Sequence, residues 1–105
     1  MIIRVFDTAM DPSDVPRAIE LFRSEVQPLL EGFPGCRGIE MMVGLEERSG
    51  DLRDVLAISR WESGEAIEQA ITTPAYDQAM RELRGLFQRT PIVRHFDAPG
   101  QQSKL

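Results

Sequence analysis

The amino-acid sequence predicts an α+β domain of the ferredoxin-like class, with two helices packed on one face of a four-stranded antiparallel sheet. β-rich runs and stretches of helical apolar spacing alternate in the order strand, helix, strand, strand, helix, strand, which is the βαββαβ order of that class. The chain has 105 residues, 42% of them hydrophobic, which suits one core and leaves no room for a second. We expect residues 1–99 to form this domain and residues 100–105 to form a flexible tail.

The first half of the chain predicts a strand followed by a long helix. Ile2–Thr8 is rich in β-forming residues, and Asp11 can cap a helix whose apolar residues recur every three or four positions over residues 15–33. Pro28 lies inside that stretch and predicts a kink in the helix, because proline has no backbone N–H group to donate.

The second half predicts a hairpin, a helix in two pieces and a last strand. The elements, in order, are the strands Arg37–Glu47 and Arg53–Trp61 joined by the turn Ser49-Gly50-Asp51, helical spacing over Gly64–Ile71, a second helical piece over residues 74–87, and the strand Pro91–Asp97. Thr73-Pro74 separates the helical pieces, because threonine caps a helix and proline suits its first turn. Both helices then cover the same face of the sheet, and the other face needs a cover of its own.

Charge and cysteine content restrict the partners and the compartment. The formal net charge is −5 and the basic residues are scattered, so the sequence predicts no nucleic-acid partner and no membrane partner. Cys36 is the single cysteine and cannot form an internal disulfide, and the N-terminal residues lack the apolar segment of a signal peptide. We therefore expect a cytoplasmic protein.

Alternation along the strands predicts which side chains face the helices. The expected helix-facing sets are Ile3, Val5 and Asp7 on the first strand, Ala57, Ser59 and Trp61 on the third, and Val93, His95 and Asp97 on the last. The opposite sets, which mix large apolar residues with arginine, are Ile2, Arg4 and Phe6, then Leu56, Ile58 and Arg60, then Ile92, Arg94 and Phe96. This largely apolar outer face predicts a homodimer in which the sheets of the two copies pack against each other. The alternative is a monomer whose outer face is apolar.

Two segments carry a family resemblance. They are Trp61-Glu62-Ser63-Gly64-Glu65-Ala66-Ile67, where the third strand meets the second helix, and Phe33-Pro34-Gly35-Cys36 before the second strand. They resemble the antibiotic biosynthesis monooxygenase family, and the resemblance covers the chain from Ile2 to about Pro99. That family consists of dimeric α+β barrels and includes cofactor-independent oxygenases of polycyclic aromatic and quinol substrates, haem-degrading oxygenases and many members of unknown activity. The resemblance therefore implies a dimeric α+β barrel.

The haem-degrading branch of that family differs from this chain at the residues by which it is recognised. The branch has an asparagine near the end of the first strand, a tryptophan within the second helix and a histidine further along. This chain has Asp7, then Gln69 or Ala70, and Met80 at those places. Haem degradation is therefore not implied. The sequence also shows no metal-ligand spacing and no Gly-rich phosphate loop, so we expect no cofactor and no metal.

The resemblance places a ligand cavity between helices and sheet. We assign catalysis to Asp7 and His95, because an imidazole near a carboxylate can move protons at neutral pH. The residues expected to line the cavity are Ser59, Trp61, Tyr76, Met80 and Met41. In the alternative interpretation, His95 is a rim histidine, Asp7 caps local backbone and the methionines are core residues.

The sequence supports one function hypothesis with two alternatives. The first is a cofactor-independent monooxygenase that deprotonates a phenolic or quinol-type polycyclic aromatic, whose anion then reacts with dioxygen in a pocket that excludes water. The alternatives are a non-catalytic dimeric protein that binds a hydrophobic metabolite, and a non-oxidative isomerase or cyclase on the same scaffold. All three predict a small hydrophobic or aromatic ligand.

Overall fold

A computed structural model describes residues 1–47 and 50–99 and has the predicted order of elements. The strands are β1 (Ile2–Met10), β2 (Cys36–Glu47), β3 (Arg53–Trp61) and β4 (Ile92–Asp97), and the helices are α1 (Val15–Leu21), α2 (Gln27–Glu31), α3 (Gly64–Ile71) and α4 (Pro74–Arg84). The predicted ferredoxin-like α+β fold is confirmed. Ser49 of the predicted turn, and the predicted tail of residues 100–105, lie outside the described residues.

The first helical region runs from residue 12 to residue 31 and changes type along its length. It begins with a 3-10 turn, Pro12–Asp14, which Asp11 caps by accepting a hydrogen bond from the amide of Ser13 at 2.9 Å. A π-helical turn, Phe22–Val26, separates α1 from α2. Pro28 accounts for this turn, because in a regular helix its ring would clash with the carbonyl group four residues earlier. The irregularity predicted at Pro28 is therefore a π-helical turn just before it.

The four strands form one antiparallel sheet in the order β2-β3-β1-β4. β1 lies between β3 and β4, so that Ile2 is opposite Trp61 on one side and Asp97 on the other. The chain enters β2 through Gly35, whose φ is 85°. A Cβ atom on Gly35 would lie 2.6 Å from the Cβ of Ala66 in α3, so only glycine allows the chain to pass this close to the helix.

The side chains of β1 point the opposite way from the prediction. Arg4, Phe6 and Thr8 face the helices and line a cavity with residues of α4, whereas Asp7 lies on the outer face. The predicted helix-facing set that included Asp7 is therefore wrong for this strand. A shift of one position reverses every side chain of a strand, and burial decides between the two arrangements. The Phe6 ring gains more from the core, while Asp7 keeps its carboxylate partly in water.

The core lies between the helices and the inner face of the sheet. Its largest fully buried side chains are Trp61, Met10 and Thr8. Buried residues of every helix pack around them, namely Ala18, Leu21, Phe22, Val26, Leu30, Ile67, Ala70, Tyr76, Met80 and Leu83. Within residues 1–47 and 50–99, none of the helices has the length and apolar character needed to cross a membrane.

Candidate functional site

A cavity lies between the inner face of the sheet and the helices. The volume open to the centre of a water molecule is about 60 Å³, which is room for a few waters. Its lining is apolar except for Arg4, Thr8, Ser59 and Tyr76. The five residues expected to line it, Ser59, Trp61, Tyr76, Met80 and Met41, all border this cavity. A largely apolar pocket with a few convergent polar groups is typical of a small-molecule site.

Trp61 and Ser59 form a rigid polar pair on the wall of the cavity. They are two residues apart on β3 and therefore point to the same face, as the alternation predicts. The Nε1–H group of Trp61 donates a hydrogen bond to the Oγ atom of Ser59 at 2.8 Å, and both side chains are buried. Ser59 makes no other side-chain hydrogen bond with a described residue. Its O–H group is therefore available to an acceptor inside the cavity.

Tyr76 and Met80 reach the cavity from one face of α4. Thr73 caps this helix, because its hydroxyl accepts a hydrogen bond from the amide of Tyr76 at 3.1 Å, and so fixes the first turn. The Tyr76 side chain is buried, yet its hydroxyl has no partner among the described residues. Tyr76 can therefore bond a polar atom of a ligand, while Met80 and Met41 supply adaptable apolar contacts.

Arg4 and His95 form a polar pair at the edge of the cavity. They are opposite each other on β1 and β4, and Nη1 of Arg4 is 3.2 Å from Nε2 of His95. A guanidinium has only donors, so the Nε2 atom accepts and the neutral imidazole carries its proton on Nδ1. Arg4 borders both the cavity and a surface depression that contains His95. The pair therefore lies between the cavity and the solvent.

Arg4 forms no ion pair with the residues that the structure describes. Six of the other arginines pair with a carboxylate, namely Arg17, Arg37, Arg60, Arg81, Arg84 and Arg89. A guanidinium at an apolar cavity, with only a neutral imidazole as partner, attracts an anionic oxygen. Arg4 therefore offers a positive charge to an anionic oxygen at the edge of the cavity.

Asp7 lies on the opposite face of the sheet from His95. Its carboxylate accepts a hydrogen bond from Nη2 of Arg89 at 2.6 Å, and Nη1 of the same arginine lies 3.5 Å from Asp54. The expected pairing of Asp7 with His95 is therefore wrong, because the orientation of β1 is reversed. Of the two predicted catalytic residues, only His95 lies on the same side of the sheet as the cavity.

Arg4 is the site residue that the sequence reasoning missed, because it was placed on the outer face. A signal for it exists in the sequence. Ile2, Phe6 and Met10 form an apolar set with a period of two on β1, and Arg4 is the only charged residue in that set. A single charge within an apolar strand face marks a candidate for function, because burying an unpaired charge is costly.

The remaining candidate groups do not add to the site. Burial raises the pKa of the Cys36 thiol, so the thiol is mostly protonated at neutral pH and is a poor nucleophile. Among the described residues, no three histidine, cysteine, aspartate or glutamate side chains lie close enough together to hold a metal ion. The polar chemistry of the site therefore rests on Arg4, Ser59 and Tyr76, which line the cavity, and on His95, which lies beside Arg4 outside it.

The fold and the cavity define a class of protein: a ferredoxin-like α+β domain with a small-molecule site between helices and sheet. The sequence profile described as antibiotic biosynthesis monooxygenase matches residues 1–82. The chain belongs to the antibiotic biosynthesis monooxygenase family. No curated protein matches the chain in sequence.

Solved structures share this fold at low sequence identity. A candidate antibiotic biosynthesis monooxygenase from Nitrosomonas europaea matches with a TM-score of 0.75 at 10% identity, over 93% of this chain and 98% of that chain. Another from Bordetella bronchiseptica matches with a TM-score of 0.74 at 15% identity, over 92% and 95%. SnoaB, a cofactor-independent oxygenase from Streptomyces nogalater, matches with a TM-score of 0.70 at 18% identity, over 92% of each chain. At these identities the similarity shows the fold alone.

Proposed function

We propose that this protein is a cofactor-independent monooxygenase that acts on a phenolic or quinol-type polycyclic aromatic. The observation that carries the proposal is the Arg4 guanidinium, which has no carboxylate partner among the described residues and borders an apolar cavity beside the neutral imidazole of His95. Such a pair suits a weakly acidic aromatic, which is neutral on entry and anionic after losing a proton. The proposal retains the cytoplasmic location expected from the sequence.

The proposed chemistry begins with the proton of the phenol. When the hydroxyl enters between Arg4 and His95, it gives its proton to Nε2 of His95, and Nη1 of Arg4 then bonds the phenolate oxygen. The electron-rich anion reacts with dioxygen at a ring carbon that carries hydrogen. One oxygen atom stays on that carbon as a carbonyl and the other leaves as water. The substrate supplies all four electrons, so no external reductant is needed.

The other lining residues orient the substrate and exclude water. The Ser59 hydroxyl, held by Trp61, and the Tyr76 hydroxyl are positioned to bond polar substituents of the ring system. The apolar remainder of the cavity keeps water from the ring carbon that reacts with dioxygen. In this proposal Met41, Met80 and Trp61 shape the cavity and take no part in proton transfer.

Removal of the His95 imidazole is expected to lower the rate of oxygen uptake by about a hundredfold, because the proton acceptor is lost. The measurement is oxygen consumption by purified, metal-free protein with a panel of polycyclic hydroquinones, corrected for autoxidation. Asp7→Asn tests the other predicted catalytic residue, and since Asp7 lies on the outer face, its loss of uptake should be far smaller than that of His95→Ala. Unchanged uptake in His95→Ala, or an equal loss in Asp7→Asn, would contradict the proposed base.

The same assay separates the two alternative functions. Tight binding of the panel with no uptake above autoxidation would favour a non-catalytic protein that binds aromatic metabolites. Conversion of a ligand at the same rate under nitrogen would favour a non-oxidative isomerase or cyclase. Uptake that requires both dioxygen and His95 supports the monooxygenase.

We also propose that the protein is a homodimer formed through the outer face of the sheet. Ile92 and Phe96 are 53% and 42% exposed there, more than is usual for large apolar side chains of a monomer. The charges on this face have partners: Arg60 lies 3.6 Å from Glu40, and Arg94 lies 4.9 Å above the ring of Phe96. The face therefore suits burial against a second copy.

Ile58→Asp is expected to convert the dimer into monomers, because it places a charge at the centre of the outer face, where Ile58 lies opposite Val5 and Glu40. Light scattering should give half the molar mass of the wild type. Ala75→Asp, on the exposed side of α4, should leave the mass unchanged. A wild-type protein that is monomeric at micromolar concentration would refute the proposed dimer.

A further inference from the structure

Two phenylalanine rings close the cavity at the end away from His95. The rings of Phe6 and Phe87 are tilted by 53°, with centroids 5.6 Å apart. Both rings line the internal cavity, and both also line a depression on the surface. They are therefore a wall shared by the two spaces.

The two spaces differ greatly in size. The cavity has a volume of about 60 Å³, and by the same measure the depression has about 520 Å³. Pockets that bind larger ligands span roughly 300 to 1,000 Å³, so an aromatic of several fused rings does not fit in the cavity alone. If the shared wall opens, the two spaces form one elongated site that begins at Arg4 and ends in the depression.

The backbone around Phe87 is fixed, so the ring is the part that can move. Residue 87 forms a β-bridge with Met10, and the amide of Gln88 donates a hydrogen bond to the carbonyl of Ala9 at 2.8 Å. The hydroxyl of Thr8 donates to the carbonyl of Arg89 at 2.6 Å. The backbone of Phe6 is fixed as well, because Phe6 lies on the central strand β1 between two paired neighbours. Opening of the wall without movement of the backbone therefore requires a change of side-chain rotamer, as at Phe87.

We propose that Phe87 is the residue that determines how many fused rings the substrate can have. This inference rests on the proposed aromatic substrate. In it, the more fused rings a ligand has, the further it must displace the Phe87 ring and extend into the depression. Phe87 itself takes no part in proton transfer.

The depression also indicates the chemistry of the distal end of such a ligand. Its two arginines already pair with carboxylates, Arg84 with Asp77 at 2.6 Å and Arg89 with Asp7 at 2.6 Å. The exposed side chains of Gln88 and Thr90, which also line it, have no hydrogen bond to a described residue. The distal substituent is therefore a neutral polar group, such as a hydroxyl or a carbonyl, rather than a second anion.

Phe87→Ala is expected to raise the affinity for a three-ring ligand about tenfold relative to a one-ring ligand. The variant has no phenyl ring for the ligand to displace, so a further ring of the ligand becomes buried. The probes are phenol, 2-naphthol and 2-hydroxyanthracene, measured by equilibrium dialysis under nitrogen so that no oxidation occurs. Phe87→Leu keeps the apolar packing and should shift the preference in the same direction by less. Leu86→Ala is the matched control, since Leu86 packs against the core and lines neither space.

The outcomes separate this inference from the proposed function. An unchanged ratio of affinities in both folded Phe87 variants, an equal change in Leu86→Ala, or no binding of any probe by any variant would overturn the role of Phe87. Oxygen uptake with the hydroquinone panel is a separate measurement. Absence of oxygen uptake would contradict the proposed monooxygenase activity, whereas a shifted binding preference in Phe87→Ala would still support the role of Phe87.

Discussion

Replacement of Trp61 by alanine is expected to lower the free energy of unfolding by about 3–5 kcal/mol, the largest effect on stability that we predict for a single residue. Trp61 is fully buried and lies at the end of β3, where it pairs with Ile2 of β1 and Cys36 of β2. Its loss leaves a large void between sheet and helices that the packed surroundings can fill only in part. The substitution also leaves Ser59 without the indole donor at 2.8 Å.

Urea unfolding, followed by circular dichroism, measures this effect. Trp61→Phe keeps an aromatic ring and removes the N–H donor, so we expect a smaller loss of about 1–3 kcal/mol. Leu45→Ala is the control, because Leu45 is 85% exposed and its truncation should change little. A loss for Trp61→Ala no larger than that of the control would contradict its central place in the core.

Replacement of Arg4 by methionine is expected to lower kcat/KM for oxygen consumption by about a hundredfold, because the cation that stabilises the developing phenolate is lost. Methionine preserves most of the apolar stem of the side chain and removes only the guanidinium. Since Arg4 contacts the charge that develops during the reaction, most of the loss should appear in kcat rather than in KM. Steady-state oxygen uptake over a range of substrate concentrations gives both parameters.

Two further variants give this prediction its control. Arg4→Lys keeps the positive charge but loses the planar guanidinium group, so its activity should lie between those of Arg4→Met and the wild type. Arg81→Met removes an arginine whose side chain is 75% exposed on α4, away from the cavity, and should leave kcat/KM unchanged. Equal losses in Arg4→Met and Arg81→Met would show that overall charge, and not a cavity residue, is responsible.

Elements with strong local signals were predicted correctly from the sequence. Asp11 and Thr73 cap helices as expected, and β3 has the predicted limits, Arg53–Trp61. These features depend on contacts between residues near in sequence, which the sequence displays directly. The inward set of β3 was also correct: Ala57, Ser59 and Trp61 all line the cavity, and Ser59 and Trp61 are buried whereas Ile58 and Arg60 are only partly buried.

The orientation of β1 could not be predicted in the same way. Its two alternating sets each combine apolar residues with a charge, Arg4 in one and Asp7 in the other, so the pattern alone does not separate them. The choice depends on contacts far away in sequence. Phe6 meets Phe87 inside, and Asp7 meets Arg89 outside, and both partners come from the segment that follows α4.

By itself, the sequence determined the fold, the family resemblance, the largely apolar lining of the cavity and His95 as a candidate base. Only the tertiary structure decided which charged residue of β1 accompanies that histidine. It placed Arg4 beside His95 and moved Asp7 to the other side of the sheet. The physical reason is that alternation fixes which side chains share a face, whereas the face that is buried is decided by the packing of the whole core.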